Sequence, residues 1–317
     1  MPCYRPLRAY RSAKVNPTGK RSLVFSPRGA ESSDLTDQIS LPCGQCIHCR
    51  LEKSRQWAMR LLHESTLYQN NCFITLTYSD ENLPLNGSID PSHPVLFMKR
   101  LREKYGPNIR SYGCAEYGEK LQRPHYHLCL FNHDFHDKKP FNQKHWGNND
   151  HRLYNSNSLE SLWNLGHSSV GAFSFETAAY VARYVTKKIT GDAAASHYES
   201  TNAYTGEITE RLPERAVCVS RRPGIGREWY NKFGKYLRDH DFAIINGKKM
   251  RPAKYYDRLF DLANPDEFQE IKNRRKIKGT LAAEAFEREH EENAFKRTRT
   301  MEAAHELTAE LLTRKLK

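Results

Sequence analysis

Arg123-Pro124-His125-Tyr126-His127-Leu128-Cys129-Leu130-Phe131 is a short apolar run with a proline near its start, and it reads as a β-strand. Alternate side chains of a strand leave opposite faces, so His125 and His127 share one face and Tyr126, Leu128 and Leu130 share the other. The segment Ile109–Tyr117 just before it has the same character and ends in Glu116-Tyr117-Gly118. A hairpin through Glu119–Gln122 brings Glu116 back opposite the two histidines.

Outward from this hairpin the pattern alternates. A strand is expected at Cys72–Tyr78 and a helix at about Val95–Lys104. Beyond the hairpin come a helix near Leu159–Leu165, a strand at His167–Phe175 and a helix over Thr177–Ile189, capped by Thr177 or Ser174. The order β-α-β-β-α-β predicts an α+β protein built on a ferredoxin-like antiparallel sheet with its helices on one face. Residues 190–216 read as a long polar loop, after which a strand at about Ala216–Ser220 rejoins the sheet. Three segments follow: 1–50, a basic N-terminal stretch around a cysteine cluster; 51–260, the main domain, entered by a helix through Ser54–Leu62; and 261–317, a charged helical tail. Residues 7–40 read as irregular.

Two histidines two apart on one strand can grip one metal ion. The competing reading, one histidine in the core and one in water, is the ordinary one for an isolated pair. Glu116 opposite them changes the balance. Two imidazoles and a carboxylate leave coordination positions open, as a catalytic ion requires. For a phosphate substrate with hard oxygen ligands, Mg²⁺ or Mn²⁺ suits the site better than Zn²⁺. His133 and His136 fall in a loop and rank below the pair.

Tyr180-Val181-Ala182-Arg183-Tyr184-Val185-Thr186-Lys187-Lys188 places two tyrosines at i and i+4, neighbours on one helical face, with Lys187 and Lys188 continuing it. Ala178, Val181, Ala182, Val185 and Ile189 form an apolar stripe on the other side, so the core contact is expected to be made without the tyrosines. Nearby ammonium groups favour the phenolate of a group that ordinarily titrates near pH 10, and the four residues form a candidate nucleophile array. Ordinary core aromatics are the competing reading.

Cys43-Gly44-Gln45-Cys46-Ile47-His48-Cys49 has the spacing of metal-binding thiolates, and Cys3 is the natural fourth ligand. A closed Cys₄ set implies a structural Zn²⁺; His48 in place of Cys3, or an iron–sulfur cluster, is also compatible with the spacing. Cys72, Cys114, Cys129 and Cys218 fall in expected strands, as buried thiols.

Fifty lysines and arginines against 37 acidic residues give a formal charge of +13, which favours a polyanionic partner. Residues 261–317 carry 12 basic and 12 acidic side chains, so the excess lies in the first 260 residues. The N-terminus lacks the apolar core of a signal peptide and no apolar run approaches a bilayer span, so a soluble, intracellular protein without a membrane partner is expected.

Phe73-Ile74-Thr75-Leu76-Thr77-Tyr78, Arg123-Pro124-His125-Tyr126-His127 and Tyr180–Lys188 resemble, in order and spacing, the three motifs of rolling-circle replication initiators. The replication initiators of microviruses, in particular the gokushovirus branch, are the nearest likeness; Cys43–Arg50 and Ser220-Arg221-Arg222-Pro223-Gly224-Ile225-Gly226 are similar to that group too. The resemblance spans about Cys3 to Tyr256. It implies the fold of the His-hydrophobic-His (HUH) endonucleases and nicking of single-stranded or supercoiled DNA at a phage origin through a 5′-phosphotyrosine. It also implies strand transfer at the end of a cycle, a host polymerase and helicase as partners, and the bacterial cytoplasm as the location. Two other readings compete: a plasmid initiator, relaxase or transposase with the same chemistry, and a non-catalytic zinc-containing single-stranded DNA-binding protein using Tyr4, Trp57, Trp229 and Tyr230. Thr75 and Thr77 are expected to support the sheet and DNA contacts rather than chemistry.

Overall fold

In the computed structural model, residues 3–17, 21–30, 38–118, 121–140, 152–184, 188, 193–201, 205–289 and 294–314 are described. In chain order the elements are β1 (Leu7–Val15), β2 (Arg21–Val24), β3 (Ile39–Leu41), α1 (Ile47–Ser65), β4 (Asn71–Tyr78), α2 (Ser92–Tyr105), β5 (Arg110–Tyr117) and β6 (Pro124–Phe131). There follow β7 (Lys139–Pro140), β8 (Leu153–Asn155), α3 (Asn157–Trp163), β9 (Gly166–Ala172), α4 (Phe175–Tyr184), α5 (Ala193–Tyr198), β10 (Glu199–Thr201), β11 (Ile208–Glu210) and β12 (Arg215–Val217). The chain ends with α6 (Arg227–His240), β13 (Ala243–Ile245), β14 (Lys248–Met250), α7 (Lys254–Ala263), α8 (Pro265–Glu289) and α9 (Ala294–Arg314).

Two compact units result, one from residues 1–52 and 279–315, the other from 53–278. The larger holds a seven-stranded antiparallel sheet in the order β12-β5-β6-β4-β9-β8-β7. Its four central strands are those of the β-α-β-β-α-β pattern, each hydrogen-bonded to a strand that is not always its neighbour in sequence. β12 joins β5 at the edge, where the sequence places the returning strand.

The pleat divides the sheet residues between two cores. Cys72, Ile74, Leu76 and Tyr78 of β4 and Tyr126, Leu128 and Leu130 of β6 point to one face, where they pack with Phe97, Met98 and Leu101 of α2 and Leu159 and Trp163 of α3. Phe73 of β4, Tyr112 and Cys114 of β5, and Cys129 and Phe131 of β6 point to the other. There they meet Ala58 and Leu61 of α1 and the buried face of α4. Helices therefore cover both faces of the sheet rather than one. The alternation was readable because each strand is buried on both sides; which helices cover which side is a tertiary matter that period alone does not encode.

Gly166 opens β9 at a point where the chain passes over the end of β4. Its φ is +149°, and a Cβ there would stand 2.2 Å from the amide nitrogen of Ser79. Only glycine meets both demands.

Beyond β12 a second layer forms. Met59 of α1, Leu237 of α6, Ala243 and Ile245 of β13, Ala253 and Tyr256 of α7 make one cluster, and Phe260, Phe268 and Ile271 another. Arg275 of α8 bridges Asp241 and Asp257, fixing the end of this layer. In the smaller unit β2, β1 and β3 form a three-stranded sheet, where the sequence suggested irregular chain. The strands are mostly exposed, so their hydrophobic alternation is weak. Residues 190–216 likewise contain α5 and the hairpin β10–β11, not a plain loop.

Candidate metal centre and its surroundings

Antiparallel register sets the first contact: Glu116 of β5 stands opposite His125 of β6, and Thr75 of β4 stands opposite His127. All four side chains leave the face covered by α1 and α4. The Nε2 atoms of His125 and His127 lie 2.8 and 3.0 Å from the same oxygen, Glu116 Oε1. Glu116 and His127 are buried, His125 half-buried, and the other carboxylate oxygen, Oε2, has no hydrogen-bond partner.

The remaining ring nitrogens decide what the cluster wants. His125 Nδ1 sits 3.1 Å from the carbonyl of Arg123. A carbonyl can only accept, so Nδ1 carries a hydrogen and the neutral ring presents a bare lone pair at Nε2. His127 Nδ1 is 2.9 Å from Thr75 Oγ1, which fixes that ring in the same way when the hydroxyl accepts. Two lone pairs and a carboxylate then face one point, an arrangement that repels itself unless a proton or a cation stands there. Burial pushes the Glu116 carboxyl up, but with a hydrogen on Nε2 of the two rings their hydrogen bonds outweigh it and hold the group below the usual carboxylate range, so a proton fills the point when a cation does not. Ligands at adjacent corners of an octahedral ion bound at about 2.1 Å stand about 3.0 Å apart, which matches the separations found. The donor set and the unpartnered Oε2 fit a divalent cation with open positions.

Thr75 thus has a role that sequence reading passed over: it orients a candidate ligand. The signal was present in the alternation Thr75, Thr77 on the face of the sheet that carries the histidines, but a threonine in a strand has too ordinary a propensity to stand out. Phe73, two residues earlier, stacks on the His127 ring at 5.5 Å and 12°. Arg123 fixes the approach to β6 by bonding Asp80 and the carbonyl of Tyr78. His133 is buried but lies outside the cluster, packed against Tyr105 and Phe135.

Tyr180 sits beside this centre, its ring edge-on to His127 at 5.1 Å and 81°. It is 9% exposed and belongs to the cluster that contains Phe73 and Tyr112. The expectation that the tyrosine face is free of the core is therefore corrected. Ala178, Ala179, Val181 and Ala182 are buried as well, because α4 packs on the sheet beside α1, whose Ser54 hydroxyl donates to the carbonyl of Ala179. α4 is thus covered on more than one side, and the side that carries Tyr180 meets the histidines. Tyr184 ends α4, but its side chain lies outside the described residues, as do Lys187 and the expected helix residues 185–187 and 189. Lys188 is exposed.

In the smaller unit Cys3, Cys43, Cys46 and Cys49 bring their sulfurs within 4.8 Å of one another. Cys3 Sγ and Cys46 Sγ are 3.8 Å apart, the separation that tetrahedral thiolates at about 2.3 Å from one ion require. Backbone amides of Gln45 and Cys46 donate to Cys43 Sγ at 3.4 and 3.2 Å, and that of Cys43 to Cys3 Sγ at 3.2 Å. Burial raises the Cys43 thiol, but the amides of Cys46 and Gln45 outweigh it and bring the group down to about 6; burial pushes Cys49 up to about 12. This set could bind a metal such as zinc. His48 is not among the four ligands; its ring lies 6.1 Å from Tyr4 and 6.2 Å from His305.

The aromatics that a binding-module reading would expose are half-buried and engaged. Trp57 packs on Tyr112 at 4.5 Å, Trp229 stacks on His63 at 3.5 Å, Tyr230 on Tyr256 at 5.5 Å, and Tyr4 meets His305. Among the described residues no helix is long and apolar enough to cross a membrane.

The model of the family described as replication-associated protein ORF2/G2P matches residues 71–189, from β4 to beyond α4. The chain is 29% identical over 305 residues to the replication-associated protein VP4 of Bdellovibrio phage phiMH2K, covering 93% of this chain and 88% of that one. It is 28% identical over 285 residues to the replication-associated protein ORF2 of Spiroplasma virus 4, covering 84% and 83%. It is 32% identical over 155 residues to the replication-associated protein ORF4 of Chlamydia phage 1, covering 47% and 38%. No solved structure matches.

Proposed function

We propose that this chain, which belongs with the microvirus-type replication-associated proteins, is an HUH endonuclease that starts rolling-circle replication by nicking one DNA strand at the phage origin. The observation that carries the reading is the convergence of Glu116, His125 and His127 on one point with Tyr180 packed against His127.

When bound by the three ligands, Mg²⁺ or Mn²⁺ would polarise the scissile phosphate and offset charge on its oxygens. The chain's own part is nucleophilic. The phenolic oxygen of Tyr180 or Tyr184 forms a bond to phosphorus, the P–O3′ bond breaks, and the 3′ oxygen leaves as a hydroxyl with the proton that the phenol gives up. One phosphodiester replaces another, so the step needs no outside energy and runs in reverse as ligation. The 5′ end is held as phosphotyrosine while the free 3′-OH serves a host polymerase behind a host helicase, in the cytoplasm of the infected bacterium. A second tyrosine one helical turn away allows the closing cleavage and transfer by the same molecule. Lys187 and Lys188 stabilise the phenolate or the leaving oxygen. Zn²⁺ on Cys3, Cys43, Cys46 and Cys49 is structural.

Incubation of the full chain with a single-stranded origin oligonucleotide and Mn²⁺ should yield a covalent adduct stable to denaturation. Tyr180→Phe and Tyr184→Phe should each retain an adduct but lose strand transfer, and the double variant should form none. An adduct in the double variant would place the nucleophile elsewhere, and full activity of His127→Ala would remove the metal centre from the reaction.

A further inference from the structure

The larger unit carries a second basic feature that the nicking chemistry does not use. A groove of about 530 Å³ opens between α2, the start of β5 and the segment after β12, and its wall includes Lys99, Arg102, Arg110, Ser220, Arg221 and Arg222. The described residues that line it include neither a carboxylate nor an aromatic ring.

The groove is held in shape. Ser220 exchanges two hydrogen bonds with Ser111, its amide donating to the Ser111 carbonyl at 2.9 Å and its Oγ accepting from the Ser111 amide at 3.0 Å. Arg110 is neutralised by the buried Glu64 and donates to the carbonyl of Pro223 at 2.8 Å. Glu64 accepts in turn from the amide of Gly226 at 2.6 Å. The next stretch is fixed by Arg60, which donates to the carbonyl of Ile225 at 3.0 and 3.1 Å while its guanidinium lies between Trp57 and Tyr255 at 4.0 and 3.8 Å. Arg110 is thus part of the frame. The free charge comes from Lys99, Arg221 and Arg222, which are exposed, and from Arg102, whose Nε donates to the carbonyl of Ile109 at 3.0 Å. No ion pair among the described residues engages these four.

We propose that this groove binds the phosphate backbone of double-helical DNA flanking the nick. Fixed cations without carboxylates suit a polyanion. The lack of aromatic rings excludes the stacking by which proteins hold unpaired bases, so the ligand is a strand whose bases are already stacked in a duplex. β5 runs from Arg110 at the groove to Glu116 at the metal centre, about 20 Å at 3.3 Å per residue, or about six steps of B-form DNA at 3.4 Å. The α2 wall stands on the sheet face opposite the metal ligands, so a duplex seated in the groove would lead its single strand round the β12 edge of the sheet to the centre. The proposal rests on the DNA-processing reading above, but its test is independent of catalysis.

Binding is measured by fluorescence anisotropy in chelator-free buffer on the Tyr180→Phe/Tyr184→Phe background, in which no adduct is expected, for a hairpin oligonucleotide with a duplex stem and for oligo-dT of equal length. The variant Lys99→Ala/Arg221→Ala/Arg222→Ala should weaken hairpin binding by more than about tenfold at moderate salt. It should also reduce the slope of log K against log salt by about 2.7, at about 0.9 per phosphate contact, with a smaller loss on oligo-dT. The charge-retaining Lys99→Arg/Arg221→Lys/Arg222→Lys should keep the parent slope. An unchanged hairpin slope in the alanine variant, an equal loss on both oligonucleotides, or a fallen slope in the charge-retaining variant would each overturn the proposal. Absence of an adduct from the parent chain with Mn²⁺, its hairpin binding being intact, would count against the catalytic reading alone.

Discussion

Thr75 shows how much of a metal centre can depend on a residue that is not a ligand. Its hydroxyl faces His127 Nδ1 at 2.9 Å, and groups in that position typically change metal affinity by about 10- to 100-fold when removed. Thr75→Val keeps the shape and the strand propensity and deletes the partner. Calorimetric titration with Mn²⁺ should show the affinity falling by that factor with the far-ultraviolet dichroism unchanged; an affinity within twofold of the parent would show that packing alone orients the ring. His63 makes a different single-residue statement. It is stacked on Trp229 and bonded to Tyr256 Oη at 2.9 Å, and burial pulls it down from 6.5 to about 3. The folded protein keeps this ring neutral while the unfolded chain protonates it below about pH 6.5. Its contribution is therefore intact above that pH and is lost on acidification towards the folded value, at up to about 1.4 kcal/mol per pH unit. Denaturant unfolding at pH 7 and pH 5 should show His63→Gln losing less stability on acidification than the parent; equal losses would mean that His63 is not the group being titrated.

At the level of elements, the strand and helix order of the central sheet was legible because β4 and β6 are short and largely apolar, β5 and β6 are joined by a tight hairpin, and helices of clear period separate the rest. The segment Ser220–Gly226 was recognisable only as a motif. Its physical content lies in partners outside the segment: Arg60 and Glu64 of α1, more than a hundred residues away, and Tyr255 and Tyr256 of α7. Gly226, at φ +77°, has Tyr256 Oη 2.5 Å from where a Cβ would be, and its amide caps the buried Glu64. No local pattern announces such a junction. Glu64→Ala leaves the half-buried Arg110 without its counter-charge and the Gly226 amide without its acceptor, and a loss of about 3 kcal/mol in denaturant unfolding is expected; a loss under about 1 kcal/mol would mean that the pair is solvated. The helix face of Tyr180 was misjudged for a related reason. A hydrophobic stripe tells which side of a helix is apolar, but α4 is covered on more than one side, so an aromatic off the stripe is buried too. The cluster of Glu116, His125 and His127 was legible because the three sit on two paired strands, where spacing in sequence converts directly into position.

For the molecule as a whole, the two compact units rest on different foundations. The larger one has the central sheet and two cores. In the smaller one Ala9, Tyr10 and Cys46 are buried and the sheet has three strands, too little apolar burial to hold a fold unaided. A metal on Cys3, Cys43, Cys46 and Cys49 would supply what the core lacks. Chelation, or Cys46→Ser, should raise amide exchange across β1, β2 and β3 while leaving β4, β5, β6 and β9 protected; protection unchanged in β1–β3 would show that the thiols are not ligated. The larger unit has its own check on assembly. Glu116 meets His125 only when β5 and β6 pair in the register found, and a slip of one residue would turn Glu116 to the opposite face. A cation that binds only the correct pairing stabilises it over every slipped one by about 2.7 kcal/mol at a hundredfold excess over its dissociation constant. The same ion that would activate a phosphate would therefore act as a proofreader of folding, and a chain misaligned in this hairpin would be inert before it met DNA.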